Sequence, residues 1–270
     1  MPLAITCDAK SPLFDRLSTD VVSSMLNPES LTVRITPIQR PTGIENRLLA
    51  GLSKRDRQHI LASAKLVKLE ANAVLVNQGQ ELRHVYFPVD CFISIFSSGE
   101  VATQMALAVV GSEGMLGEVI LLGSGLLPGP AIVVGAGSAW RISRRAFATI
   151  IADSHTVRRR FQMYLHYSLI NLAQQAACSH FHSIEARLAR CLLMIHDRVG
   201  TDRLALTHQV LANLLGVRRV GITLAASALQ NRTLIDYRRG VISRIDRERL
   251  MVIACDCYGI SEAHYQKILG

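Results

Sequence analysis

Two short apolar patterns separated by one glycine constrain this chain more than any other feature. Residues 206–230 read LTHQVLANLLGVRRVGITLAASALQ. Thr207 is placed to cap a first helix, Gly216 is placed to end it, and a second helix resumes around Arg218. The apolar positions are Val210, Leu211, Leu214 and Leu215 in the first helix and Ile222, Leu224, Ala225, Ala228 and Leu229 in the second. Their spacing predicts a helix-turn-helix.

A basic hairpin is predicted directly after these helices. Residues 234–245 read LIDYRRGVISRI, in which two alternating segments flank a turn at Arg238, Arg239 and Gly240. Residues 203–249 hold nine arginines and three acidic residues, a net charge of +6. A helix, a Gly turn and a helix also occur as a packing motif with no role in DNA binding. The hairpin, which would form a wing, and the local charge favour duplex DNA as the partner.

The positions of the polar residues predict two kinds of DNA contact. The second helix of such a motif enters the major groove, which is about 12 Å wide, and its N-terminal residues meet base edges. The predicted base contacts are Arg218, Arg219 and Thr223. The start of the first helix and the wing turn face the phosphates instead. The predicted backbone contacts are Thr207, His208, Gln209, Arg238 and Arg239.

Composition limits the class of protein. The 270 residues are 49% hydrophobic, enough for one large core or two modest ones, and +8 of the net charge of +9 lies from His155 onward. The six cysteines are scattered and no secretory signal pattern precedes them, so we expect reduced thiols and a cytoplasmic location. The longest apolar run, residues 114–134, is interrupted by Glu118, glycines and prolines. We therefore expect no membrane-spanning helix.

Changes of periodicity divide the chain into five segments of an α+β protein. Residues 1–42 hold five prolines without a sustained period and are predicted to form a flexible arm. Short strands with turns between them predict an antiparallel β-roll at 43–153, which would act as the sensor domain. A long helix follows at 154–182. The winged helix-turn-helix occupies 183–250, and 251–270 form a C-terminal tail.

The long helix carries a possible dimer seam. Five residues of this helix are spaced by four, three, four and three, the spacing of a coiled coil, and a sixth is adjacent to the last of them. They are Phe161, Leu165, Ser168, Leu172, Gln175 and Ala176. The pattern predicts that two copies of this helix pair in a homodimer. The alternative is a helix packed against its own β-roll.

With a roll, a long helix and a winged helix in this order over residues 44–250, the chain resembles the Crp/Fnr family of transcription regulators. The resemblance implies a homodimer that binds an inverted-repeat operator, senses an effector in a cyclic-nucleotide-binding-like roll, and contacts RNA polymerase. It also places Arg219 at the base-reading position, while Arg218 shares that role or holds a phosphate. The matching residues are Thr207–Gln209, Gly216–Arg219, Gly79, the strand pair at 87–95, and Gly117 with Glu118.

The chain departs from the family where cyclic nucleotides are bound. In nucleotide-binding members an Arg follows a Pro after the Gly-Glu pair and holds the cyclic phosphate, whereas here Pro128 is followed by Gly129, Pro130 and Ala131. Without that Arg a buried phosphate lacks an interaction worth about 1.5 to 3 kcal/mol. Cyclic AMP is therefore not the expected effector, whose identity stays open. The candidate effector pocket holds Gly117, Glu118, Gly129 and Ala131, although Glu118 could equally be a structural carboxylate.

Two further departures concern the DNA site and the cofactor. The commonest family pattern has a Glu after the reading Arg, which would accept a hydrogen bond from cytosine, but this chain has Val220. The resemblance therefore does not imply the half-site sequence that the best-known members bind. It still implies that Arg219 reads a base. The family's iron-sulfur sensors carry an N-terminal cysteine cluster, but only Cys7 lies in the arm, so no such cluster is expected.

The remaining cysteines show no metal-binding pattern in the sequence. Cys178, His180 and His182 are spaced by two, which on a helix points neighbours to different faces, whereas helical ligand pairs use three or four. We therefore predict no bound metal. Cys255 and Cys257 could form a redox pair or remain separate reduced thiols.

Two other classes of function compete with a regulator. For an enzyme, residues 111–114 and 123–125 fall short of a nucleophile elbow, and no phosphate-binding glycine loop opens a helix, so no catalysis is expected. A small-molecule sensor or a partner-binding adaptor that uses the long helix would not read DNA sequence. A gel-shift series separates these, because a regulator binds duplex DNA with a steep salt dependence.

Overall fold

The computed structural model describes residues 45–99, 104–201 and 203–270. The predicted arm at 1–42 lies outside the described residues. Two short helices come first, α1 (Arg47–Ala50) and α2 (Lys54–Ser63), and the side chain of Ser53 caps α2 by accepting the N–H of Asp56. Because Ser is among the best N-cap residues, the helix begins where the sequence places the cap.

Seven strands then form the predicted antiparallel roll. A three-stranded sheet has the order β1-β7-β3 and a four-stranded sheet has the order β2-β6-β4-β5. Every pair within them is antiparallel. The strands are β1 (Lys65–Leu69), β2 (Val74–Val76), β3 (His84–Pro88), β4 (Phe92–Phe96), β5 (Ala106–Val110), β6 (Ala131–Gly135) and β7 (Gly137–Ser143). The mixed helix and sheet class and the N-terminal roll are therefore confirmed.

Three phenylalanines close the core of the roll. The ring of Phe161 lies 5.8 Å from that of Phe87 and 5.2 Å from that of Phe147, between ring centroids. All three side chains are completely buried. Phe147 belongs to α3 (Arg144–Asp153), which leads into the long helix. Phe161 thus fills the core of its own roll and is not available to a second chain, which corrects its assignment to the dimer seam.

The long helix α4 (His155–Phe181) forms as predicted. Ser154 caps it by accepting the N–H of Val157, and His182 follows its last residue. Ser183 at once caps the next helix, α5 (Ile184–Val199), which ends at Gly200 in a left-handed conformation with φ of 69°. The two helices are therefore joined by a connection of only two residues.

The winged helix-turn-helix is also present. Its helices are α6 (His208–Leu215) and α7 (Arg219–Asn231), and its strands are β8 (Leu204–Ala205), β9 (Ile235–Arg238) and β10 (Val241–Ile245), in the sheet order β8-β10-β9. The strand β8 was not predicted, because two residues are too few to show an alternating pattern. Its pairing with β10 ties the wing to the segment before the first helix.

Residues 251–270, which the sequence pattern separates as a tail, belong to folded helices. Helix α8 (Arg247–Ile253) is followed by α9 (Cys257–Leu269), which packs along α4. The ring of Tyr265 meets that of Tyr167 edge-on at 5.1 Å, and its hydroxyl donates to the backbone oxygen of Glu113 at 3.0 Å. The last helix is therefore anchored in the same core as the roll.

Among the described helices, no single one is long and apolar enough to span a membrane. By length and composition alone, only the pair α6 and α7 passes such a test, as two pieces bent by 108°.

Candidate nucleic-acid interface

The turn between α6 and α7 has the geometry that a helix-turn-helix requires. The hydroxyl oxygen of Thr207 accepts the N–H of Val210, and Gly216 ends α6 in a left-handed conformation with φ of 64°. The two helices are bent by 108° relative to each other. This lies inside the range of about 90 to 120° typical of the motif. The capping Thr and the terminating Gly are the two residues on which the sequence prediction rested.

Helix α7 buries one face and exposes the other. Ile222, Ala225, Ala226 and Leu229 are buried against the winged domain. On the opposite face Val220 and Leu224 are 69% and 68% exposed, and all three predicted base contacts are exposed as well. Those three are Arg218, Arg219 and Thr223. The exposed face is therefore free to enter a groove.

His208 supports this exposed face from below. Its ring stacks on that of Tyr237 with 4.8 Å between centroids, and its Nδ1 lies 3.0 Å from the hydroxyl oxygen of Thr223. The Thr223 hydroxyl also donates to the backbone oxygen of Arg219 at 3.1 Å. Desolvation by burial lowers the pKa of His208, and the nearby Arg219 lowers that pKa further. The imidazole is thus a neutral support for α7, and the predicted phosphate contact of His208 rests on its backbone N–H.

The backbone at the start of α6 remains suited to a phosphate. Thr207 uses its side chain for the third N–H of the helix, so the N–H groups of His208 and Gln209 have no partner within the helix. The Gln209 amide donates to Asn213 at 2.8 Å on the exposed side. Free N–H groups at a helix N-terminus form an anion site.

The wing turn lies against the same helix start. Arg239 and Gly240 both have positive φ, 50° and 79°, as in a two-residue hairpin turn. A Cβ on Gly240 would lie 3.2 Å from the Cγ2 of Thr207, so the two segments are in contact. The structure therefore brings the wing arginines and the start of α6 together, as the sequence interpretation requires.

Ion pairs distinguish the arginines of the winged domain that bind a carboxylate of the same chain from those that do not. Arg232 binds Glu185 at 3.1 Å and Arg247 binds Asp197 at 2.8 Å. Arg238 makes a long pair of 3.5 Å with Asp236, and its side chain is 83% exposed. Within the described residues, no ion pair holds Arg218, Arg219 or Arg239. These three cations are therefore available to a polyanion.

The long helix presents an apolar strip to solvent, rotated from the predicted seam. Leu169 and Leu172 are 59% and 49% exposed, and Ala176 is exposed. Gln175 instead faces inward, where its amide donates to the backbone oxygen of Ala106 at 2.8 Å, and Ser168 is half-buried. Together with the half-buried Leu165, the strip keeps the coiled-coil steps of four, three and four. Of the six predicted seam residues, Gln175 therefore bonds within its own chain and Phe161 is in the core.

A cavity of about 420 Å³ lies between the roll and helices α4 and α5. Most of its lining is apolar, and of the four predicted effector residues only Glu118 lines it. Ala131 is completely buried in β6, and a Cβ on Gly129 would lie 2.1 Å from the backbone oxygen of Phe96. Gly117 serves as the left-handed start of a short 3-10 helix. Three of the four predicted effector residues therefore pack inside the roll and lie outside the lining of this cavity, and the effector site stays a prediction.

Three of the charged groups at the cavity, Glu113, Glu118 and Arg198, have partners within the chain, while Arg187 and Arg190 also belong to its lining. The Glu118 carboxylate accepts the N–H of Gly117 at 3.1 Å, and burial raises its pKa. The guanidinium of Arg198 donates to Glu113 at 2.8 Å. The cavity therefore offers an incoming anion no free Arg from this pair.

Two family models match the chain. One describes a cyclic nucleotide-binding domain and covers residues 66–154, and the other describes a Crp-like helix-turn-helix domain and covers residues 186–253. Together they cover more than half of the chain, and they stand in the order that the roll and the winged domain take in the structure. The chain belongs to the Crp/Fnr family of transcription regulators. DNA binding is the activity that this helix-turn-helix implies, and members of the family are in general not enzymes.

Solved structures share the fold of this Crp/Fnr regulator. A protein assigned to the family from Eubacterium rectale has a TM-score of 0.59 at 19% identity, over 77% of this chain and 99% of its own. A CRP-family regulator from Thermus thermophilus has 0.58 at 18%, over 69% and 95%. The c-di-GMP-responsive regulator CLP of Xanthomonas campestris has 0.57 at 17%, over 71% and 98%. A search of curated protein sequences found no match.

Two parts of the site were not found by sequence reasoning. The support of α7 by His208 joins residues 15 positions apart, and the pair of Arg198 with Glu113 joins residues 85 positions apart. Neither has a local signal, because a charged or aromatic residue shows its partner only in the folded chain. The apolar strip could have been predicted from sequence, because Leu169 in place of Ser168 also gives heptad spacing with Leu165 and Leu172.

Proposed function

We propose that this Crp/Fnr regulator acts as a homodimer that recognises an inverted-repeat operator and reads a guanine through Arg219. The proposal rests on the exposed position of Arg219 in the first turn of α7, where no ion pair from the described residues holds its guanidinium. The hydroxyl of Thr223 donates to the backbone oxygen of Arg219 and is itself in contact with His208. Arg is the side chain that most often binds guanine, through two hydrogen bonds to its major-groove edge.

The apolar strip of α4 supports dimerisation. Leu169, Leu172 and Ala176 keep heptad steps along one exposed face, and apolar residues at such positions pair helices in water. Two recognition helices related by a two-fold axis would lie about 34 Å apart, so the half-sites of the operator would be roughly ten base pairs apart.

The backbone contacts would come from both sides of the recognition helix. The free N–H groups of His208 and Gln209 favour one phosphate, and Arg239 on the wing turn is placed for another. These contacts add affinity without choosing a sequence. Arg238 would add a weaker contact, because its guanidinium also faces Asp236.

The cavity between the roll and α4 is the proposed effector site. Its largely apolar lining and the pairing of Arg198 with Glu113 favour a small, mostly apolar effector over a cyclic nucleotide, and Arg187 and Arg190 are the further cations in the lining. Residues 129–131 are Gly, Pro and Ala and include no Arg that could hold a cyclic phosphate, which also disfavours a cyclic nucleotide. Contact with RNA polymerase and a cytoplasmic location accompany the proposal through the family resemblance and the need to reach DNA.

Selection from a random pool of duplex DNA tests the function. The full chain should select an inverted repeat, and the affinity for that repeat should fall steeply as salt rises. Equal, weak binding of all sequences would contradict a sequence-specific regulator. Failure to bind any duplex at low salt would favour an adaptor.

A further inference from the structure

Four side chains with metal-binding atoms meet where α4 ends. Cys178 lies in the last turn of α4 and His182 directly follows that helix, whereas Cys255 lies between α8 and α9 and Cys257 is the first residue of α9. Their sulfur atoms and one imidazole nitrogen all lie within 4.8 Å of one another. The Sγ of Cys178 is 3.6 Å from that of Cys255, and the Sγ of Cys257 is 3.4 Å from the Nδ1 of His182.

These distances fit the ligand shell of one tetrahedral ion. Zinc bonds of about 2.3 Å to sulfur and 2.0 to 2.1 Å to nitrogen place two sulfurs about 3.8 Å apart and a sulfur and a nitrogen about 3.6 Å apart. The separation of Cys178 from Cys255 and that of Cys257 from His182 are within about 0.2 Å of these values, and all other pairs of ligand atoms lie within 4.8 Å. Because all four atoms lie so close together, the site leaves no room for several irons and bridging sulfides.

The surroundings suit a closed site. The three cysteines are buried, with exposed fractions of 1% for Cys178, 8% for Cys255 and 1% for Cys257, and they form a small cluster of their own. The amide of Gln174 donates to the Sγ of Cys257 at 3.1 Å, which is the kind of outer hydrogen bond that orients a thiolate ligand.

We propose that Cys178, His182, Cys255 and Cys257 bind one structural zinc ion per chain. Three thiolates and an imidazole in tetrahedral array are a typical zinc donor set, and four protein ligands leave no open position for catalysis. The sequence expectation of no metal considered His180, which is not part of the group. Cys178 and His182, which do meet, are four residues apart, and this spacing places two ligands on one side of a helix.

The ion would fix the junction between the long helix and the winged domain. His182 is the residue between the end of α4 and Ser183, which caps α5, so it lies in the two-residue connection of these helices. Cys257 begins α9, which packs along α4. Zinc would therefore tie the connection to the C-terminal helix and hold α5 at a fixed angle.

The first test is the metal content of the full-length protein purified under reducing conditions. Elemental analysis should give about one zinc per chain, and cobalt exchanged into the site should show the visible bands of tetrahedral Co²⁺ with a thiolate charge-transfer band. Cys257→Ser and His182→Ala should lose the zinc and the cobalt bands. Cys191→Ser and His180→Ala are matched controls from outside the group and should keep both.

A further variant keeps the test open if a ligand variant fails to fold. Gln174→Ala leaves all four ligands in place and should weaken zinc affinity by roughly 10- to 100-fold, measured by competition with a chelator. A reduced protein that takes up no zinc, or that holds iron instead, would overturn the proposal. So would a disulfide between Cys178 and Cys255, seen by intact mass as the loss of two hydrogens in protein without metal.

The effect on DNA binding rests on the proposed function and is measured separately. Removing zinc from the wild type should weaken operator binding at least tenfold, and adding zinc back should restore it. Zinc bound at one per chain in a protein that selects no DNA sequence would reject the proposed function and leave the metal site standing. Operator binding that is unchanged by complete removal of zinc would reject the role of the ion at the junction.

Discussion

The guanidinium of Arg198 lies 2.7 Å from a carboxylate oxygen of Glu113, and both side chains are only 10% exposed. Arg198 belongs to α5 and Glu113 to the loop after β5, so the pair joins the winged domain to the roll. Gly111 permits the approach, because a Cβ there would lie 2.4 Å from the Cγ of Arg198. The same loop also receives the hydroxyl of Tyr265 from the last helix.

Glu113→Gln should destabilise the protein strongly. The substitution leaves a buried guanidinium without its counter-charge, which costs about 3 to 5 kcal/mol in free energy of unfolding. Adding Arg198→Met should restore most of the stability, because an apolar pair of similar volume removes the unpaired charge. Urea unfolding measures both. As a control, Glu262→Gln breaks the exposed pair with Arg47 and should cost under about 1 kcal/mol.

His208 should make the stability depend on pH below neutrality. Burial and then Arg219 lower its pKa, so the native ring stays neutral where the unfolded chain, with a His pKa of about 6.5, takes up a proton. The free energy of unfolding should therefore be highest above about pH 6.5 and should fall as the pH is lowered below it. His84, whose pKa is lowered first by burial, acts in the same direction.

Urea unfolding at several pH values checks this dependence. His208→Gln should flatten part of the slope between about pH 6.5 and 5, because the proton-linked group is gone. His59→Gln, at an exposed position of α2, should leave the slope as it is. An unchanged slope in His208→Gln would show that this ring does not resist protonation.

The fold was predictable from sequence wherever the signal was local. Ser154, Ser183 and Thr207 mark helix starts and Gly216 a helix end, because capping depends on residues three or four positions away. The last helix was not recognised as part of the core, since its burial comes from contacts such as Tyr265 with Glu113, 152 positions apart. Local patterns do not carry information of that range.

Leu169→Glu together with Leu172→Glu should convert the dimer to monomers. Both leucines lie on the exposed strip of α4, and two carboxylates facing their copies would be buried without partners. Light scattering measures the mass. Val252→Glu, at an apolar position that is 83% exposed on α8, serves as the control and should stay dimeric. A double variant of unchanged mass would place the interface elsewhere.

Cyclic AMP should not activate this regulator. The Pro-Gly-Pro-Ala stretch at 128–131 offers no cation, and Arg198 at the cavity is held by Glu113. Without the phosphate-binding Arg, the affinity for cyclic AMP should be lower by a factor of about 10 to 100. Calorimetry should show no binding at micromolar nucleotide. Micromolar binding that also tightens operator binding would mean that another cation has replaced the missing one.

The sequence predicted which residues belong to the DNA-binding site better than it predicted what each of them does. Arg218, Arg219 and the wing arginines were found because charge and helix position are visible in the sequence. His208 was expected to face a phosphate through its backbone N–H, and only the folded chain shows that its side chain lies between Tyr237 and Thr223. The four-residue sulfur and imidazole group was missed for a similar reason, since its two halves are 77 positions apart at the closest sulfur pair.

Arg219→Ala and Arg239→Ala should change DNA binding in different ways. Arg219 opens the recognition helix on its exposed face, so it can donate two bonds to a guanine, an interaction worth about 1 to 3 kcal/mol of discrimination. Its removal should relax one symmetric position in the sequences selected from a random pool. Arg239 lies in the wing turn next to Gly240, which packs against Thr207, so it is placed to meet the phosphate backbone.

Arg239→Ala should therefore leave the selected sequence intact and lower the salt slope of binding by about one for each phosphate that is no longer neutralised. Selection from a random pool, followed by affinities at several salt concentrations, measures both effects. Arg232→Ala is a useful control, because this arginine is paired with Glu185 and should change neither the sequence nor the slope. If Arg219→Ala keeps the full sequence preference and weakens binding to all DNA equally, then Arg219 holds a phosphate, and Arg218 becomes the remaining arginine that could read the base.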